Sequence, residues 1–240
     1  RAIDEVFREV EAGSADYGVV PVENSTEGVV NHTLDMFLQS PLRICGEVQM
    51  RINHHLITHA TDLQAVRRIY SHRQSLAQCR EWLDANMPRA EQIEVGSNGE
   101  AARRVCDEPT AAAIAGQCAA DIYALPTLVR NIEDEPNNTT RFLIIGTQPI
   151  QPSGDDKTAL LVASLNQPGA LFRLLEPLAR NNVSMNRIES RPSRRGMWDY
   201  VFFIDLDGHA QDAPVANALT ELREQASLFR VLGSYPKGVL

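Results

Sequence analysis

The sequence of 240 residues has no excess of positive charge: Lys and Arg total 23 against 31 Asp and Glu, a net charge of −8. A nucleic-acid-binding domain is more often basic, with Lys and Arg clustered on one face, so the composition argues against that class. Cysteine is scarce, and Cys45, Cys79, Cys106 and Cys118 show no CxxC spacing. Without paired ligand spacings a zinc site is disfavoured. Without a disulfide framework the thiols read as reduced, in a reducing compartment. No apolar run approaches the roughly 20 residues needed to span a bilayer, so a membrane partner is not expected. The opening stretch RAIDEVFREVEAGSADYG reads as an amphipathic helix and turn rather than a signal peptide. It lacks an initiator Met and enters in mid-pattern, so we expect residues missing ahead of Arg1.

What is present is an alternation of strand and helix patterns over the first two-thirds. YGVVPV (17–22) is a short apolar strand, and VVNHTLDMFLQ places Val30, Leu34, Phe37 and Leu38 at helical spacing. RICGEVQMRINHHLITH alternates as one strand, with Val48, Met50 and Ile52 on one side. VRRIYSH, EQIEVGSN, TAAAIAG and TRFLIIG are further strands, interleaved with the helices QSLAQCREWLDANM, GEAARRVC and QCAADIYAL. Repeated strand-then-helix units predict α/β layers with a mainly parallel sheet. TQPIQPSGDDK (147–157) has linker composition. Beyond it the order is β-α-β-β-α-β, the ferredoxin-like arrangement. Pro177 inside the first helix of that unit predicts a kink or an early helix end.

Three polar clusters fall at strand ends: ENSTEG with Glu23, Asn24, Ser25, Thr26 and Glu27; SHRQS with Ser71, His72, Arg73 and Gln74; and NNTTRF with Thr139, Thr140 and Arg141. Ligands of open α/β sheets bind beyond the carboxyl ends of strands, where helix N-termini favour anions. ENS and SHRQS fit that geometry. TTRF precedes its strand, as a crossing segment between two lobes does. Taken singly, Ser or Asn before a helix is an N-cap, His72 a structural hydrogen-bonder and Arg141 a salt-bridge residue. Thr-Thr-Arg nevertheless holds more hydroxyl and guanidinium than a turn needs.

Together, GVVPVENSTEGVVNHTLD, IYSHRQSLAQC and NNTTRFLIIG, in that order, resemble the motifs of prephenate dehydratase. LNQPGALFRLLEPLARNNVSMNRIESRPS resembles the regulatory ACT domain that follows that enzyme, with its GALF and ESRP signatures. The resemblance covers essentially the whole chain and is nearest to bacterial bifunctional enzymes that carry a chorismate mutase ahead of the dehydratase. It implies a two-lobed α/β catalytic domain like a periplasmic binding protein over residues 1–147, its second lobe at about 48–132. A linker at 148–156 and an ACT domain at 157–240 would follow. The family opens with a strand and a GPEGT-type loop that this chain lacks, so the first lobe is expected to be incomplete and its sheet surface exposed.

The implied reaction is that of a carbon–oxygen lyase: prephenate loses carbon dioxide and hydroxide to give phenylpyruvate, on the way to L-phenylalanine. Aromatisation drives it, and neither a metal nor an organic cofactor is required. By resemblance Thr140 is the residue most tied to catalysis. A neutral Thr is a weak acid, so it should orient the departing hydroxyl rather than donate freely. Arg141 would hold a carboxylate bidentately. Asn24, Ser25, Ser71, His72 and Gln74, with Thr139, would line the cleft. In the ACT domain Asn166, Gly169, Ala170, Leu171 and Phe172 would face Glu189, Ser190, Arg191 and Pro192 across a feedback site for L-phenylalanine. ACT domains usually pair, which implies a homo-oligomer, dimer or tetramer, of a cytoplasmic enzyme. Two rival readings are a two-lobed amino-acid sensor without catalysis and a transport-type binding protein; arogenate as substrate is a variant of the enzyme reading.

Overall fold

A computed structural model describes residues 2–165, 167–193 and 200–238. Two units divide the chain: Arg1–Met50 with Thr140–Leu240, and Arg51–Thr139.

In the first unit, helix α1 (Ile3–Glu11) buries Phe7 and Val10 on one face. The Glu5 carboxylate accepts from the Ala2 N–H at 3.2 Å, satisfying one of the donors a helix start leaves open. Strand β1 (Tyr17–Asn24) follows, then a short β2 (Gly28–Val29), helix α2 (Asn31–Phe37) and β3 (Arg43–Arg51). ENSTEG is therefore a tight turn between β1 and β2, not a helix start. Phe7 meets Phe37 edge to face at 5.2 Å, which pins α1 to α2.

The long alternating segment expected as one strand breaks into two. β3 ends at Arg51, and β4 (His55–Thr58) belongs to the second unit. That unit continues with β5 (Arg68–Ser71), α3 (Arg73–Gln78), α4 (Arg80–Asn86), β6 (Glu91–Glu94), α5 (Asn98–Val105), β7 (Ala111–Ala115), α6 (Gln117–Ile122) and β8 (Thr127–Val129). Its sheet has the order β6-β5-β7-β4-β8. β5 runs parallel to β6 and β7, because helices make those crossovers. β4 is antiparallel to both β7 and β8.

The chain returns to the first unit in β9 (Thr139–Gly146), which inserts between β1 and β3 in the order β2-β1-β9-β3. β9 and β1 are antiparallel. The mainly parallel sheet inferred from the alternation is thus a pair of mixed or antiparallel sheets. β9 arrives from the other unit rather than through a crossover helix, so the rule that makes βαβ strands parallel does not apply to it. TTRF also lies within this strand rather than ahead of it.

The C-terminal part is built from β10 (Asp156–Ala163), α7 (Ala170–Arg180), β11 (Met185–Pro192), β12 (Tyr200–Asp207), α8 (Ala213–Gln225) and β13 (Leu228–Pro236). They form an antiparallel sheet in the order β11-β12-β10-β13, a ferredoxin-like βαββαβ unit. Helix α7 runs on to Arg180, past a buried Pro177. Leu174 and Leu178, on either side of the proline, are buried against α8 and the sheet, which keeps the helix going where propensity alone ends it.

The period-2 alternation of β10 and β12 serves two cores. Leu160, Val162, Ile204 and Leu206 face the helices. Ala159, Leu161, Ala163, Val201 and Phe203 face the other way, onto Phe7, Val20, Leu143 and Ile145 of the opening segments. Each buried Val, Leu, Ile or Phe among them contributes about 1.5–3 kcal/mol relative to exposure, and the C-terminal sheet is also a wall of the first core.

Candidate functional site

Thr140 sits in β9 directly opposite Asn24 of β1. The Asn24 side-chain Nδ2 donates to the Thr140 Oγ1 at 2.8 Å. The amide is oriented from its other end: its Oδ1 accepts from the backbone N–H groups of Thr26 and Glu27 at 2.9 and 3.0 Å. This is an Asx turn, and it fixes which end of the amide meets the threonine. Because the Thr140 oxygen accepts from Asn24, its own O–H is directed elsewhere, as a hydroxyl has one proton to give. Thr140 is 9 % exposed, so that donor works in a nearly dry setting. Ser25 is exposed in the turn, and Thr139 turns its hydroxyl back to the Asn137 carbonyl at 3.2 Å.

Arg141 does not share that setting. Successive residues of a strand point to opposite faces, and Arg141 faces the ACT-like sheet along with Leu143. Its Nε donates to the Glu47 carboxylate and its Nη1 to Asp205, both at 2.7 Å, and its Nη2 to the Tyr235 hydroxyl at 3.2 Å. The Glu47 side chain is 0 % exposed and also accepts from the Lys157 Nζ at 2.7 Å and the Gly238 N–H at 2.9 Å. Burial alone would drag the arginine's pKa down, but Asp205, Tyr235 and Glu47 more than offset it and hold it above the usual range. Burial likewise works to raise the Glu47 pKa; the Lys157 hydrogen bond and the Arg141 charge prevail and hold it below the ordinary carboxylate value. Burial and the Asp205 charge lift Tyr235 well above the phenol range. The expected pairing of Thr140 and Arg141 around one substrate is thus split by the pleat, and the arginine's fork is already occupied by protein carboxylates.

In the second unit, Ser71 closes β5 and is fully buried. Its Oγ donates toward the Asn98 Oδ1 and the Ile114 carbonyl, both 3.0 Å away. His72 is the N-cap of α3, its Nδ1 accepting from the Gln74 N–H at 3.3 Å. The His72 N–H in turn donates to the Asn98 Oδ1, and the Asn98 Nδ2 to the Ser75 Oγ. Asn98 organises this corner, and sequence reasoning missed it; its signal was an Asn in the turn leading into GEAARRV. Helices α3, α5 and α6 all begin at the carboxyl ends of strands β5, β6 and β7. That is the edge at which open α/β sheets bind ligands. His72 and Gln74 are exposed on it.

At the start of α7, Gly169 takes a left-handed conformation, φ +74°. With Ala170, Leu171 and Phe172 it lines a groove completed by Tyr200 and Phe202 of β12. Phe172 is 72 % exposed there. The ESRP residues lie on the neighbouring strand β11. Ser190 and Pro192 pair with Phe202 and Tyr200. Glu189 and Arg191 alternate to the other face, where the Arg191 guanidinium donates to Asn31 at 2.9 Å and Asp35 at 2.8 Å. Arg191 is therefore a docking residue toward α2. Asn166 lies outside the described residues.

Among the described residues no helix is long and apolar enough to cross a membrane. Residues 1–150 match the family model of prephenate dehydratase and residues 158–224 that of the ACT domain. The chain is 57 % identical over 240 residues to a bifunctional chorismate mutase/prephenate dehydratase of Stutzerimonas stutzeri, covering 100 % of this chain and 66 % of that protein. A crystal structure of prephenate dehydratase from Arthrobacter aurescens in complex with L-Phe superposes with a TM-score of 0.87 at 36 % identity, covering 98 % of this chain and 79 % of that one. A protein described as GqqA, a novel type of quorum quenching acylase, superposes equally well, with a TM-score of 0.87 at 31 % identity and coverages of 99 % and 87 %. The chain belongs to the prephenate dehydratase family and carries an ACT domain after its dehydratase region.

Proposed function

We propose that this chain is a prephenate dehydratase, a hydro-lyase that converts prephenate to phenylpyruvate by coupled loss of carbon dioxide and the ring hydroxyl. The observation that carries the reading is the 2.8 Å hydrogen bond from Asn24 to Thr140. With its oxygen accepting from an oriented amide, Thr140 aims its O–H outward. The departing hydroxyl of prephenate is a poor leaving group and needs such a partner as negative charge builds on it. Its conjugate threonine need never ionise: the hydrogen bond strengthens in the transition state while aromatisation supplies the driving force. Thr139 and Ser25 flank this pair as substrate-binding residues. Ser71 holds the β5–α3 corner, while His72, Gln74 and the helix-start amides beside them offer the donors that a dicarboxylate needs. Arg141 is withdrawn from the role of carboxylate clamp and assigned to holding β9.

L-Phenylalanine is the feedback effector in this reading, as the L-Phe-bound relative supports. Its carboxylate would meet the Gly169–Phe172 turn and its ring Tyr200 and Phe202. Paired ACT domains make the enzyme an even-numbered oligomer, and the biosynthetic role places it in the cytoplasm.

A second reading, acylase activity, comes with the GqqA likeness. Acyl transfer needs a nucleophile activated by a base. Thr140 is paired with an amide donor, not a base, and burial raises the Cys79 thiol far above its ordinary value, so the geometry favours the lyase. The test is phenylpyruvate formation from prephenate beside hydrolysis of an N-acyl amide, in the wild type and in Thr140→Ala. Lyase turnover that collapses in Thr140→Ala supports the reading; amide hydrolysis without phenylpyruvate formation replaces it.

A further inference from the structure

Four charged residues form a ring between the dehydratase sheet and the ACT sheet, two of its sides ion pairs and two strand-register pairs. Glu23 of β1 is the register partner of Arg141 of β9. Arg187 of β11 is the register partner of Asp205 of β12. Ion pairs then cross from sheet to sheet: Arg187 to Glu23 at 3.3 Å and Arg141 to Asp205 at 2.7 Å. Charges alternate around the ring, and two of its members follow β-bulges, between Pro21 and Glu23 and between Met185 and Arg187. Bulges re-aim side chains that strict alternation would send elsewhere.

The ring sits behind the candidate catalytic pair. Asn24 and Thr140 are register partners one step along the same two strands, and each is the chain neighbour of a ring member, Glu23 or Arg141. On the other side, β11 and β12 are the strands that carry the ESRP segment and the effector groove; Phe202 in that groove lies three residues from Asp205. Both arginines are only 13 % exposed, and one Arg187 nitrogen, Nη2, is buried without a hydrogen-bond partner among the described residues. A buried cation with an unmet donor is held less firmly than a fully paired one, so the ring has a weak side, at Arg187, and it is on the effector strand.

We propose that Glu23, Arg141, Arg187 and Asp205 are positioning residues that transmit the state of the ACT sheet to the Asn24–Thr140 pair. This rests on the reading of Thr140 as catalytic and of L-phenylalanine as effector. Ligand in the groove moves β11 and β12 against each other, the ion pairs to Glu23 and Arg141 shift, and the donor geometry at Thr140 is spoiled without any ligand reaching it. Such coupling requires two sites joined by an element both can bias, and the ring is that element.

The test measures phenylpyruvate formation by the full chain with L-phenylalanine titrated, alongside calorimetric L-phenylalanine binding. Arg187→Gln and Asp205→Asn should bind L-phenylalanine as the wild type does. The concentration that halves turnover should nevertheless rise about tenfold, within the usual range of coupling energies. kcat should fall severalfold with KM inside about a factor of two, the pattern of lost transition-state geometry rather than lost binding. Arg187→Lys, which keeps the charge, should restore the inhibition curve. Inhibition curves unmoved in both disruptive variants, or moved only in step with lost L-phenylalanine affinity, overturn the proposal. So does wild-type turnover indifferent to L-phenylalanine. If Asp205→Asn fails to fold, Arg187→Gln, on the edge strand of its sheet, decides alone. Thr140→Ala separates the layers: an inactive Thr140→Ala beside unmoved inhibition curves removes only the ring's role, whereas a fully active one removes the catalytic reading beneath it.

Discussion

Thr140 and Arg141 are adjacent in sequence and serve opposite faces of one strand, the threonine hydroxyl bonded to Asn24 and the guanidinium locked between Glu47 and Asp205. A tripeptide that reads as one functional unit is divided by the pleat into a chemical residue and a structural one.

The division makes the two residues fail differently. Arg141→Ala leaves Glu47 and Asp205 buried beside an empty space, and breaking a buried pair typically costs about 3–5 kcal/mol. The expected outcome is a lower melting temperature and a lower denaturant midpoint, with partial recovery in Arg141→Lys. A variant of undiminished stability whose only defect is a raised KM for prephenate would return Arg141 to the substrate.

Asn24 can be tested with its turn kept intact. Asn24→Asp retains an oxygen for the Thr26 and Glu27 N–H groups but removes the donor to Thr140 and sets a carboxylate in its place. Thr140 must then donate to that carboxylate, and its proton is no longer available to the substrate. Turnover should drop about 10²-fold or more, the scale of losing one preorganised donor, with thermal stability little changed. Unaltered kcat in Asn24→Asp would show that the Thr140 proton is not used.

The difference between what the chain made legible and what it hid follows from range. The βαββαβ order and the ENS, SHRQS and TTRF clusters are local patterns, carried by spacing within about a dozen residues. The β3–β4 break was hidden because Arg51 to His54 keep an alternating pattern while the chain passes between units. The ion cluster was hidden because its members are 94 and 64 residues apart in sequence. It did leave a trace. Asp205 is in phase with the core row Val201 and Phe203, and Glu47 interrupts a buried run in RICGEV. A charge where the period calls for an apolar side chain implies a buried partner, although the sequence does not name it.

Acid should expose Glu47. Its folded-state pKa lies below the ordinary value of 4.5, so between the two values the unfolded chain binds more protons than the folded one. Stability from this group is therefore fully present above about pH 4.5 and is lost as pH falls through the folded value. Glu47→Gln should lower stability at pH 7 by about 3–5 kcal/mol, since Arg141 then keeps Asp205 while Lys157 loses the carboxylate it bonds at 2.7 Å. It should also flatten the acid limb of the stability curve. Wild-type and Glu47→Gln curves that run parallel from pH 7 to pH 3 in urea unfolding would mean the carboxylate is not what holds the cluster.

Gly169 separates strain from recognition. At φ +74° an added Cβ meets only the flexible end of Arg173, at 3.1 Å, so Gly169→Ala is strained chiefly by its backbone. A left-handed residue with a Cβ costs about 1–2 kcal/mol. Gly154, in the linker, offers the matching control: φ is +97° and a Cβ there meets nothing within 4 Å. Both alanine variants should unfold somewhat earlier than the wild type, by similar amounts. Only Gly169→Ala should also weaken L-phenylalanine binding, because relief of its strain shifts the turn that begins α7 and carries Leu171 and Phe172 into the groove. Equal L-phenylalanine affinity in the two variants would place the effector elsewhere on the ACT sheet, and with it the strand from which the Glu23–Arg187 pair takes its cue.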